Sequence, residues 1–129
     1  MNVKVYIVDD DKLNNLLGVH LIRKTVETAE VKCFEYPAEA LKYFYQLSQE
    51  DMTDQPNVIL LDINMPEISG WDFLVEFEQL PVEFKKRFDI YMVTSSIDPQ
   101  DRRRADAINF IKGFISKPLR ADILKSILQ

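Results

Sequence analysis

The chain has 129 residues, enough for one domain with a single core and too few for a second of ordinary size, so residues 1–129 read as a single domain with no output module. Hydrophobic residues at 47% and charged residues at 29% describe a globular chain, and a formal net charge of -5 excludes the uniformly basic surface that nucleic-acid binding needs. Cys33 has no internal disulfide partner, no apolar stretch is long enough to span a membrane, and no basic leader precedes the first strand-like run, so the cytoplasm is the expected compartment.

Val3 to Val8 is rich in β-branched residues and is followed by Asp9-Asp10-Asp11, which predicts a buried strand ending on acids. From Lys12 to about Thr28, Leu13, Leu16, Leu17, Leu21 and Ile22 recur at three- and four-residue spacing, the pattern of an amphipathic helix with Asp11 near its N-terminus. Val31 to Glu35 alternates apolar with charged and predicts a strand nearer an edge. Pro37 opens a helix carried by Ala38, Ala40, Leu41, Phe44 and Leu47 to about Gln49. Glu50 to Pro56 is a polar connection.

Val58-Ile59-Leu60-Leu61 predicts a buried strand that stops on Asp62. A loop through Asn64-Met65-Pro66 leads to a helix from about Gly70 to Leu80, closed by Pro81. Val82 to Phe88 is a short helical turn or a loop. Asp89 to Thr94 is a fourth strand, ending in Thr94-Ser95-Ser96. Asp98-Pro99 is an N-cap and first-turn pair for a helix in which Ala105, Ile108 and Ile111 share a face and which Gly113 stops. Phe114 to Ser116 is a short fifth strand ending at Lys117-Pro118, and Ala121 to Leu128 is a last amphipathic helix.

Strict alternation of strand and helix implies an α/β fold with a parallel sheet covered on both faces. Ligands of such sheets bind beyond the carboxyl ends of the strands. Asp9 to Asp11, Asp62, Thr94 and Lys117 all stand at such ends and are therefore expected on one rim. Carboxylates about 4 Å apart repel by roughly 4 kcal/mol at an effective dielectric near 20, so a compensating cation is expected. Oxygen donors without His or Cys suit Mg²⁺, with Mn²⁺ as an alternative. Asp10 and Asp62 are expected as direct ligands, Asp9 through water, and the backbone carbonyl of Asn64 as a further oxygen. A carboxylate beside a metal, a lysine and a hydroxyl suits nucleophilic attack on phosphorus. Lys117, the Thr94 hydroxyl and the Ser95 backbone N–H would then hold oxygens of the transferred group.

Val8-Asp9-Asp10, Asp62-Ile63-Asn64-Met65-Pro66 with Gly70, Val93-Thr94-Ser95 and Lys117-Pro118 together resemble the receiver domain of bacterial two-component response regulators along essentially the whole chain. The resemblance implies a flavodoxin-like, doubly wound five-stranded parallel sheet of order 2-1-3-4-5 with helices on both faces. It implies Asp62 as phospho-acceptor, Asp9 and Asp10 as the acidic metal pair, Thr94 as switch hydroxyl, Lys117 as phosphate contact and Phe114 at the aromatic switch position. Tyr is frequent there, so coupling through Phe114 is expected to be by packing alone. Asn64 and Ser96 stand where receivers tune phosphoryl loss. The implied partners are a sensor histidine kinase or histidine phosphotransfer protein and a downstream protein on the face of the fourth helix, fifth strand and fifth helix. Monomer and phosphorylation-dependent dimer are both compatible. Neither nucleic acid nor membrane is an expected partner, and the domain is a phospho-accepting signalling module rather than an enzyme.

Each residue alone has an ordinary alternative: an Asp-rich turn with an N-cap, a strand-terminating Asp, a surface Thr or Lys. Their joint placement favours the site. Arg102-Arg103-Arg104 is either an ion-paired, solvated face or part of the docking surface. His20 is assigned no role, Cys33 is read as a small core residue, and Trp71 as a core cap or surface residue near the site. Three rivals to a phospho-accepting receiver are a Mg²⁺-dependent phosphatase, a receiver-like module that is never phosphorylated, and a flavodoxin-like cofactor binder. Asn64 two residues after Asp62 disfavours the first, the intact acids, Thr94 and Lys117 disfavour the second, and the lack of a Gly-rich loop after the first strand disfavours the third.

Overall fold

The computed structural model describes residues 2–50, 55–95 and 98–129. In chain order the elements are β1 (Lys4–Val8), α1 (Lys12–Thr25), β2 (Glu30–Phe34), α2 (Pro37–Leu47), β3 (Asn57–Asp62), α3 (Gly70–Phe77), α4 (Val82–Lys85), β4 (Phe88–Thr94), α5 (Pro99–Asp106), β5 (Ile111–Ser116) and α6 (Ala121–Leu128). The strands form one parallel sheet in the order β2-β1-β3-β4-β5, the flavodoxin-like arrangement expected. The segment from Val82 is a helical turn, so the helix that carries the three arginines is α5 and the docking face expected above is α5, β5 and α6.

Side chains alternate across a strand, and here the alternation sorts the core into two layers. Tyr6, Val8, Ile59, Leu61, Ile90 and Met92 face Ala40 and Phe44 of α2, Phe73 and Phe77 of α3, Phe84 of α4 and Ala105 of α5. Val5, Ile7, Val58, Leu60, Val93 and Ile115 face Ile22 of α1 and Leu124 of α6. All six residues of β3 are buried, consistent with its central place and its unbroken apolar run. In the first layer Phe44 meets Tyr6, Phe73, Phe77 and Phe88 edge-on, with ring centroids 5.0 to 6.4 Å apart, the geometry aromatic quadrupoles prefer.

Two expectations are corrected. Three of the four leucines of α1 do not face the core: Leu13 and Leu16 are 64% exposed and Leu17 is 58% exposed, while Asn15, Gly18 and Ile22 form the buried stripe and Leu21 packs half-buried beside it. The reason is the closeness of helix and sheet. A Cβ on Gly18 would lie 3.1 Å from Ile7 Cδ1, so a small residue at that position lets α1 settle on β1 and rolls Leu13, Leu16 and Leu17 outward. Gly113 does not stop a helix, and Ile111 does not belong to one. α5 ends at Asp106, and Ile111 to Gly113 lie within β5, where the register slips between Ile90 and Tyr91. Gly113 pairs with Tyr91, and a Cβ there would lie 3.2 Å from two atoms of that ring. Close packing under an aromatic ring, not helix termination, accounts for the glycine.

Candidate functional site

The same alternation builds the site. Asp9 follows Val8 in the face sequence of Val5 and Ile7; Asp62 continues that of Val58 and Leu60; Lys117 continues that of Ile115. All three therefore project from the sheet on the side of α1 and α6. Val8 pairs with Leu61, so Asp9 and Asp62 leave neighbouring strands at the same level. Thr94 falls on the opposite side with Met92, and Phe114, which pairs with Met92, shares that side. The acids and lysine thus leave the strand ends on one face of the sheet, and the hydroxyl and the aromatic ring on the other.

Lys117 Nζ lies 2.9 Å from Asp9 Oδ2 and 3.4 Å from Asp62 Oδ1, bridging two buried carboxylates. Burial alone would pull the Lys117 pKa down, but its hydrogen bond and charge pairing with Asp9, reinforced by Asp62, outweigh this and raise it. Asp62 is the strained partner. Burial first, and the negative charge of Asp9 second, push its carboxyl up to about 6 against the opposing pull of Lys117 and of the Asn64 N–H. One ammonium does not neutralise two buried acids. Asp9, Asp10 and Asp62 each bring a carboxylate oxygen within 4.8 Å of the others, and Asp10 is solvent-exposed. A hard divalent cation fits this donor set, because every offered atom is a carboxylate oxygen and the local charge is in deficit by at least one unit.

The loops are held by short-range caps. The Asp11 N–H donates to Asp9 Oδ1 at 2.9 Å, and Asp11 itself caps α1 by accepting from the Asn14 N–H at 3.1 Å. Ser69 and Asp72 form a reciprocal capping box at the start of α3. The Gly70 N–H then reaches back to the Ile63 carbonyl at 2.8 Å, which brings the helix N-terminus against the Asp62 backbone. The Lys117 N–H donates to the Thr94 carbonyl at 2.7 Å, tying the ends of β4 and β5 together; the Lys117–Pro118 peptide bond is cis.

Thr94 is fully buried, and Asn64 Nδ2 donates to its hydroxyl at 3.4 Å. The Asn64 N–H also donates to Asp62 Oδ1 at 3.4 Å. Phe114 is half-buried against the aromatic layer, and Ser95 is exposed at the mouth of a cavity of about 550 Å³. That cavity runs from Asp9, Asp62 and Lys117 between α1 and Leu119, lined along the way by Leu17, Gly18 and Leu21. The structure therefore brings Asp9, Asp10, Asp62, Asn64, Thr94, Ser95 and Lys117 to one rim, with Phe114 on the same face of the sheet as Thr94. Ser96 lies outside the described residues.

Trp71 is buried, its Nε1–H donates to Asp101 Oδ1 at 3.1 Å, and the Arg104 guanidinium lies 4.7 Å from the ring centroid. Thus α3 and α5 are joined through the indole. Cys33 is half-buried and its thiol pKa is raised by that burial, which fits a packing role. His20 lines the far part of the cavity. Asn15 was not singled out from the sequence: it is buried on α1 and donates Nδ2 to the Asp9 carbonyl at 2.9 Å. A polar residue in register with Gly18 and Ile22 was its signal, masked by the more conspicuous leucine stripe.

The chain matches the family described as the response regulator receiver domain over residues 5–129. It belongs to that family, and with it to two-component signalling. It resembles response regulator Rcp1 of Synechocystis sp., with 26% identity over 97 residues, which is 75% of this chain and 65% of that relative's length. Among solved structures it resembles a two-component response regulator from Cytophaga hutchinsonii, with 29% identity and a TM-score of 0.85 over 97% of this chain and 92% of that one. A response regulator receiver protein from Dyadobacter fermentans gives 28% and 0.84 over 98% and 94%. The chemotaxis protein CheY4 of Vibrio cholerae gives 26% and 0.75 over 98% and 97%. Among the described residues no helix is long and apolar enough to cross a membrane.

Proposed function

We propose that Asp62 accepts a phosphoryl group from a phosphohistidine on a sensor histidine kinase or histidine phosphotransfer protein, and that the aspartyl phosphate remodels the face of α5, β5 and α6. One observation carries the reading: the buried Asp62 carboxylate shares a single ammonium with Asp9, at the strand end beside Thr94 and Asn64. An Asp62 oxygen attacks phosphorus, the phosphorus–nitrogen bond breaks, and the electron pair leaves on the imidazole nitrogen. Lys117, already turned to both acids, holds one phosphoryl oxygen; the Ser95 N–H and the Thr94 hydroxyl hold another.

Asp10 and Asp62, with the Asn64 carbonyl and with Asp9 through water, are the residues that would hold Mg²⁺, or Mn²⁺ in its place. The cation would supply charge neutralisation to the acids and the incoming phosphoryl group. Asp9 suits the indirect role because Lys117 and the Asp11 N–H already occupy its oxygens.

Thr94 reaches the phosphoryl group by giving up its bond from Asn64. Phe114, on the same side of the sheet and lacking a hydroxyl, follows by packing into the space released, which biases a two-state equilibrium at α5. The phosphodonor protein approaches across α1: Leu17 lines the cavity that opens on Asp62, so a protein delivered from that side covers the exposed Leu13, Leu16 and Leu17.

Intact-mass measurement with Mg²⁺ and acetyl phosphate tests the reading. One added phosphoryl group on the wild type and none on Asp62→Asn is expected; equal modification of both proteins would overturn it.

A further inference from the structure

We infer that Asn15 is a positioning residue for the divalent-cation site, an inference that rests on the reading of Asp9, Asp10 and Asp62 as that site. Asn15 is 4% exposed, on the stripe of α1 that packs against the sheet. Its two ends differ. Nδ2 donates to the Asp9 carbonyl at 2.9 Å, whereas Oδ1 is buried with no hydrogen-bond partner among the described residues. A buried acceptor without a donor costs stability, and an apolar side chain of similar volume at this position would avoid that cost. Packing alone therefore does not account for asparagine, and the bond to Asp9 does.

Asp9 begins the turn between β1 and α1, outside the sheet ladder. Its N–H is held by the Phe34 carbonyl at 3.1 Å and its carboxylate by the Asp11 N–H and Lys117. Asn15 supplies the remaining restraint, from a helix rather than a loop. With the Asp9 carbonyl fixed, the peptide plane between Asp9 and Asp10 is fixed, and with it the directions in which both carboxylates leave the backbone. A partner outside the ligand set that orients ligands in this way commonly changes metal affinity ten- to a hundredfold when removed, roughly the range seen for such outer groups.

The effects on stability and on binding are separable. Asn15→Leu removes an unpaired acceptor and leaves the Asp9 carbonyl without its donor, so its melting temperature without metal stays close to that of the wild type. Its affinity for Mg²⁺ falls about tenfold. The Asp11 amide proton moves upfield as the Asp9 carboxylate swings away. Asn15→Ala shows the same loss of affinity. All three are read by ¹H–¹⁵N NMR titration with Mg²⁺ and by thermal melts in EDTA. Wild-type affinity in both variants, or a lowered melting temperature with unchanged affinity, overturns the inference. A wild-type protein that binds no Mg²⁺ instead contradicts the site reading on which it rests.

Discussion

A Cβ on Gly70 would lie 2.6 Å from the carbonyl oxygen of Asp62, and 3.1 Å from the Ile63 Cα. The first helical residue of α3 thus rests directly on the backbone of the central acid, and neither contact is with a flexible side-chain end. Gly70→Ala must push the helix and the Asp62 strand end apart. Overpacking of this kind costs about 1–3 kcal/mol, so a melting temperature lower by several degrees is expected, with slower reaction with acetyl phosphate. Urea unfolding and a mass-spectrometric time course measure the two effects.

The raised Asp62 pKa predicts an unusual pH response. Its carboxyl titrates near 3.8 in an unfolded chain and at about 6 in the fold, so between those values the native protein holds a proton that the unfolded chain has released. Stability from this group is complete below the lower value and is lost as pH rises through about 6. At pH 7 in EDTA the loss is on the order of 2–3 kcal/mol. Asp62→Asn should therefore melt several degrees higher than the wild type at pH 7, with the difference closing as pH falls to about 4. Mg²⁺ should narrow the difference at pH 7 by stabilising only the wild type.

Lys117→Met separates binding from reaction. Removing the ammonium leaves Asp9 and Asp62 facing each other without compensation, which lowers stability in metal-free buffer. The same change deepens the charge deficit that favours a divalent cation. Tighter Mg²⁺ binding together with a rate from acetyl phosphate at least tenfold lower is the expected pair of results, read by calorimetric titration and intact mass.

The leucine stripe of α1 separates protein donors from small ones. Leu16→Lys lies on an exposed surface and should change stability by no more than about 0.5 kcal/mol. Its reaction with acetyl phosphate should match the wild type. Transfer from a histidine phosphotransfer protein that phosphorylates the wild type should fall at least tenfold, as when an apolar anchor of an interface is lost. Equal loss with both donors would place Leu16 in folding rather than docking.

The strand ends were legible because each short apolar run stops on a polar or charged residue, and strict alternation with helices implied a parallel sheet, whose strand order came from the family resemblance. What the local pattern concealed depends on tertiary closeness. Of the apolar stripe along α1 only Leu21 and Ile22 meet the core, since the other residues that fit there, Gly18 under Ile7 and Asn15 at the Asp9 carbonyl, carry no apolar signal. Gly113 carries the signature of a helix end, yet it serves the Tyr91 ring across the sheet. The bond from Trp71 to Asp101 joins residues 30 apart in sequence and has no local signature.

The phosphoryl group is expected on the Asp62 carboxylate. Borohydride reduction converts an aspartyl phosphate to homoserine, and peptide mapping after treatment with acetyl phosphate and Mg²⁺ then locates it. Homoserine at position 62 alone is the predicted result. Homoserine at position 9, 10 or that of any other acid, or its absence from a protein that has gained the mass of a phosphoryl group, would rule out Asp62 as the acceptor.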